Sequence, residues 1–367
     1  PRSTPIKSSA AQMCIRDRDD IITLSPYHLT TINIMIRSKR LQNRITAGRF
    51  TLPAAILLSL FCWILTSILL PEVPVIKSSY LLWDTIIDGY IPAWASTPLS
   101  FIFYGVVGYF LIELNNTFAI IRMRASVQTA IYFLFISVCP ALHPVYAGDF
   151  ASIAFLISLF FLFKGYQHSR PAGTMFYSFL FIGLGSLFFP QLTLFIPLYW
   201  IGAHSFQALT PKSFFGSLVG WALPYWFLLG HAYFYDEMGL FYQPFIELAT
   251  FHPINLWDFP LWEIATLGYL FVLYLVSSIH CLVAGYEDKI RTRSYLHFLI
   301  FLSFCIFAYI LLQPVLTVHL LPLLLIGVSI LTGHFVVLTN SRASNVFFIC
   351  ALAGLVLLFG FNIWTLL

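Results

Sequence analysis

At 367 residues, with 59% hydrophobic side chains, 9% charged side chains and a mean hydropathy of +0.86, the chain has too little polar surface to cover a water-soluble globule. The formal charge of +4 carries no nucleic-acid signal, because Lys and Arg are distributed along the chain as markers of membrane topology. Cys62, Cys139, Cys281, Cys305 and Cys350 lie within or at the ends of apolar runs, with no CxxC and no Cys/His ligand spacing, so no disulfide framework, metal or cofactor is expected.

In chain order, Pro1 to about Asp20 contains SSAAQMCIRDR, which resembles read-through translation of a sequencing adapter and is expected not to belong to the fold. Residues 21–34 read either as upstream untranslated sequence or as a disordered tail. Met35 opens a more natural start, MIRSKRLQNRITAGRF, a basic segment running into an apolar one. Eleven apolar stretches follow, at roughly 51–70, 99–114, 127–142, 149–163, 175–188, 191–203, 214–234, 262–283, 296–312, 315–337 and 346–365. The fifth and sixth are short and joined only by Phe189 and Pro190, so they read as two crossings, with a re-entrant pair as the alternative. The expected fold is therefore an all-α, polytopic transmembrane bundle forming one domain over residues 35–367. The abundant Phe suits lipid-facing helices and interfacial belts.

Arg37, Lys39, Arg40, Arg44 and Arg49 precede the first stretch and hold it in the cytoplasm. Alternation then places Arg122, Arg124, Lys164, Arg170, Lys212, Lys289, Arg291, Arg293 and Arg342 inside as well, and leaves Lys77 as the external base. Glu72, Asp84, Asp88, Asp149, Asp236, Glu237, Glu247, Asp258 and Glu263 fall outside, against Glu113, Glu287 and Asp288 inside. The two long external loops, 71–98 and 235–261, are rich in Trp, Tyr and Pro and are expected to lie along the membrane surface.

Candidate chemistry therefore faces outward. Asp84 and Asp88 stand four apart in LLWDTIIDGY, which puts both carboxylates on one face of a helix. That face either awaits a cation, a phosphate-bearing substrate or a hydroxyl, or is the wet side of a surface helix. Asp149, in HPVYAGDF, sits where the fourth stretch begins and reads as an N-cap. Asp236 and Glu237 close the seventh stretch at its C-terminal end, where a helix dipole disfavours them unless they lie beyond the helix. His143, His231, His252 and His319 fall on or near the external side with Lys77, and together with it offer partners for a lipid phosphate. Glu113 reads as neutralised by Arg122 or Arg124. No Lys, Arg, Asp or Glu falls near the middle of a stretch, unlike the usual pattern of ion-coupled carriers.

From Asn115 to Gly230 the segments LNN, RMRAS, CPALHP, KGYQ, GLGSLFFPQLTLFIPLYWIG and LPYWF resemble a family of polytopic inner-membrane proteins found chiefly in the Bacteroidetes. That resemblance implies a bacterial inner-membrane location without implying an activity. More loosely, the external loop with Asp84 and Asp88 followed by CPALHPVYAGDFASIAFLISLFFLF and GLGSLFFPQLTLFIP is similar to the GT-C glycosyltransferases, which take sugars from polyprenyl-phosphate donors outside the cytoplasm. Phe189 or Pro190 stands where that superfamily's Lys is expected, and no DE or EXD motif follows the first stretch. The resemblance implies Asp84 or Asp88, then Asp149, as catalytic groups. It implies Lys77 or His143 as phosphate partners, and Asp236, Glu237, His252 and His319 complete the expected substrate-binding set. The function expected is sugar transfer from a polyprenyl-phosphate-linked donor among membrane lipids. Its rivals are a transporter or flippase of a lipid or envelope precursor and a non-catalytic assembly subunit.

Overall fold

The computed structural model describes residues 41–70, 81–83, 91–121, 126–251 and 259–367, all within one compact unit, Leu41–Leu367. The described residues form helices joined by turns and short connections, with no strand among them. The helices are α1 (Leu41–Thr46), α2 (Thr51–Leu69), α3 (Ala93–Phe118), α4 (Ser126–Ser137), α5 (Ala147–Lys164), α6 (Ala172–Phe188), α7 (Ile196–Ser205), α8 (Pro211–Phe234), α9 (Met238–Ala249), α10 (Leu261–Val283), α11 (Ile290–Leu312), α12 (Thr317–Leu338) and α13 (Arg342–Leu366).

Eight of these are long and apolar enough to cross a bilayer: α2, α3, α5, α8, α10, α11, α12 and α13. The other three expected crossings are helical but shorter: α4, α6, and the 3₁₀ turn Pro190–Phe195 that runs into α7. α3 starts several residues before the expected stretch, just after Pro92, and carries Pro98 inside it.

α12 is the axis of the bundle. Every residue from Thr317 to Val337 is buried, as a helix that is apolar all round requires, and it packs on α4, α5, α10 and α11. Peripheral helices do the opposite. Leu57, Phe61 and Ile68 on α2, Phe215 and Trp226 on α8, and Val356 and Leu357 on α13 stand outward and exposed. So much outward apolar surface matches hydrocarbon as solvent and no aqueous globule.

Small residues bring α6 and α8 together. A side chain at Gly183 would stand 2.7 Å from the Trp221 carbonyl oxygen, and one at Gly220 would collide with that of Phe176. Ser158 on α5 donates to the Ser178 carbonyl at 2.7 Å, and Ser178 returns a bond to the Ser158 carbonyl at 2.9 Å.

Three helix ends share one device. Cys139, Phe189 and Gln313 each precede a proline and sit at φ −110, −133 and −135° with ψ 83, 85 and 76°, outside the helical region. The proline ring forbids its predecessor the α conformation, so the helix stops, a 3₁₀ turn begins at Pro140, Pro190 or Pro314, and the chain reverses. All three fall at the helix ends that carry the predicted external residues.

Candidate functional site

A buried corner is built where those turns meet the first turns of α5, α10 and α12. Tyr146 takes the N-cap position of α5, and Asp149, three residues on, reaches back so that Oδ2 accepts the Tyr146 N–H at 3.0 Å. Asp149 thus caps its helix from the N3 position, a capping-box arrangement in place of the simple N-cap expected. Its Oδ1 accepts the Tyr104 hydroxyl of α3 at 2.6 Å. Both oxygens are satisfied and the side chain is wholly buried.

His143 ends the Pro140 turn and stacks on Trp63 of α2, ring centroids 3.7 Å apart and planes 18° apart. It is 1% exposed and neither ring nitrogen makes a well-formed hydrogen bond. Burial pushes its pKa from the ordinary 6.5 down to about 3, and the Ile136 and Ser137 carbonyls, which favour a proton there, offset this only in part. His143 is neutral at physiological pH.

His319, in the first turn of α12, lies between Tyr146 and Phe189, whose rings are 5.7 and 5.6 Å from its own. Its backbone presses on Gly148, where an added side chain would meet the His319 carbonyl oxygen at 2.5 Å and Cα at 2.6 Å. Glu263, a residue that sequence reasoning placed outside without assigning it a role, is buried in the first turn of α10 beside Thr317. The signal was present in the sequence: a carboxylate directly after Trp262 at the head of an apolar stretch.

The structure therefore brings Asp149, His143 and His319 to one buried corner, with Tyr104 and Tyr146 between them. None is more than 2% exposed, so no substrate atom reaches them unless the corner moves. Asp236 and Glu237 are elsewhere and exposed. Asp236 adopts φ 58° just past α8, and Glu237 N–H bonds to the Ala232 carbonyl at 2.9 Å, a Schellman ending with Asp in the left-handed position. They lie beyond the helix, and the dipole penalty does not arise. Lys77, Asp84, Asp88 and His252 lie outside the described residues, as do Arg122 and Arg124, the expected partners of Glu113. Thr117 donates to Glu113 at 3.3 Å.

The opposite end holds a feature no sequence pattern announced. An apolar groove of about 520 Å³ runs between α2, α4, α10, α12 and α13, walled by Ala55, Ala130, Phe135, Leu273, Val336 and Leu352 among others, with Arg44 at its mouth. Such a volume lies within the range of small-molecule and cofactor sites. The mouth is fixed by Gln42 of α1, whose amide donates to the Val336 carbonyl at 2.6 Å and the Thr339 carbonyl at 2.9 Å while its Oε1 accepts from Ser344 at 2.8 Å. With a third amide bond to Thr339 Oγ1 at 3.2 Å and the Gln42 backbone N–H donating to Asn345 Oδ1 at 3.1 Å, five bonds fix the turn of α1 that carries Arg44.

The fold and its exposed apolar faces define an integral, multi-pass α-helical membrane protein. No family model matches the chain, and neither does any curated protein or solved structure.

Proposed function

We propose that the protein is a carrier for an anionic, long-chain lipid, a lipid-linked envelope precursor, in a bacterial inner membrane. The observation that supports this is the groove: nearly pure hydrocarbon wall along several turns of α2, α4 and α13, and one exposed guanidinium at the rim. A lipid tail fits the wall, and a phosphate or pyrophosphate head meets Arg44. Arg49, Lys164, Arg170, Lys212, Lys289, Arg291, Arg293 and Arg342 fall in or beside the helix ends that alternation puts on the same side of the membrane as Arg44, which supports a cytoplasmic mouth under the positive-inside rule. The lipid is thus taken from the inner leaflet. The resemblance of Asn115–Gly230 to Bacteroidetes inner-membrane proteins agrees with that location.

The test is translocation. Vesicles containing the full chain and a fluorescent polyprenyl phosphate should show protein-dependent movement of the dye between leaflets, slowed by Arg44→Gln and by Ala130→Phe. Equal rates with and without protein would end the carrier reading.

A second reading, sugar transfer at the outer face, is favoured by the outward concentration of carboxylates, Asp84 and Asp88 included. Under it, Asp84→Ala and Asp88→Ala change the cell's lipid-linked sugars or surface glycans while translocation in vesicles is absent.

A further inference from the structure

At the end of the bundle that holds Arg44, His280 and Cys281 form part of the last turn of α10 and His334 faces them from the last turns of α12. One ligand atom from each lies within 4.8 Å of the other two. We propose that these three side chains form a binding site for a borderline transition-metal ion of the zinc class, with Asp288 orienting His334.

The geometry is already close to that of a coordinated ion. Cys281 Sγ stands 3.5 Å from His334 Nδ1. A tetrahedral ion with a metal–sulfur distance of about 2.3 Å and a metal–nitrogen distance of about 2.0 Å separates such atoms by about 3.5 Å. His280 needs a side-chain adjustment of about 1 Å to complete the triangle, which its half-buried position permits. If Nδ1 of His334 takes the ion, Nε2 must carry the proton, and Asp288 Oδ2 stands 3.1 Å from that nitrogen. A carboxylate holding the far nitrogen of a ligating imidazole is the support that protein metal sites use to fix ring and tautomer.

The two nitrogens and one sulfur select against magnesium and calcium, which want oxygen, and favour zinc and its neighbours. On binding, the Cys281 thiol becomes a thiolate and its proton leaves to solvent. The bland alternative is a hydrogen-bonded knot that ties α10 to α12. Only a metal readout separates the two.

The full chain, purified without a polyhistidine tag and stripped of metal under reducing conditions, is titrated with Co²⁺ and then with Zn²⁺. The expected result is saturation at one Co²⁺ per chain, with the visible bands of a four-coordinate ion and a near-ultraviolet thiolate-to-cobalt band, all bleached by Zn²⁺. Cys281→Ser should abolish the thiolate band. His280→Asn, at a partly exposed position, should weaken Co²⁺ binding by about tenfold or more and keeps the test decisive should Cys281→Ser not fold. A pale six-coordinate spectrum with no thiolate band, a band that survives Cys281→Ser, or unchanged affinity in His280→Asn would overturn the assignment.

Discussion

Gly148→Ala is the sharpest test of the corner's packing. Gly148 is the second residue of α5, and an added Cβ would stand 2.5, 2.6 and 2.9 Å from the carbonyl oxygen, Cα and carbonyl carbon of His319. All three are backbone atoms of the axial helix, so no flexible side chain can yield. Relief requires α5 and α12 to part by roughly 0.5–1 Å, and overpacking of this kind costs about 1–3 kcal/mol. Alanine's better helix propensity returns at most about 1 kcal/mol, so the net loss should be about 2 kcal/mol. Gly173 is the matched control: it is the second residue of α6, and a Cβ there meets nothing within 4 Å. Denaturant unfolding in mixed micelles, followed by tryptophan fluorescence, should show Gly148→Ala clearly destabilised and Gly173→Ala neutral or slightly stabilised. Equal stabilities would refute the close approach of α5 to α12.

Tyr104→Phe should cost about 1–3 kcal/mol in the same assay, because Asp149 Oδ1 keeps its burial and loses its donor. Asp149→Asn should then be less damaging on the Tyr104→Phe background than alone, and strict additivity would show that the two do not interact. Burial of neutral His143 makes stability depend on pH. Its folded pKa of about 3 lies below the ordinary 6.5, so the unfolded chain binds the extra proton. Stability is full above about pH 6.5 and falls by at most about 1.4 kcal/mol per pH unit as pH drops toward 3. His143→Phe, which keeps an aromatic ring for Trp63 to stack on, should flatten that component of the acid limb.

Membrane helices were legible in the sequence because a crossing needs a long apolar run and little else, so each of the eleven stretches is found as helix. Of the aromatic stretch 235–261, the structure describes α9, which is short, with Leu240 and Phe241 packed on Tyr225 and Leu228 and with Tyr242 and Ile246 exposed. Asp149 was legible as a helix-start residue, although its position in the first turn was one box away. What stayed hidden depends on contacts between distant segments. Cys281 and His334 are 53 residues apart on different helices, so no short ligand spacing marks them. Gln42 reaches Val336 across 294 residues, and the groove it frames is made of ordinary Ala, Leu and Phe that read as lipid-facing in any one helix. The three prolines at 140, 190 and 314 are visible as letters, but their common role depends on the three turns falling at the same end of the bundle.

If the groove holds a long-chain anionic lipid headed by Arg44, that lipid should leave the membrane with the protein. The full chain extracted into lipid-preserving polymer discs, and the variants Ala130→Phe and Arg44→Gln, would be analysed for lipids by mass spectrometry. One class of long-chain phosphate or pyrophosphate lipid should be enriched to near one per chain, and depleted several-fold in both variants. The same lipid profile in all three proteins, matching the bulk membrane, would contradict that occupancy.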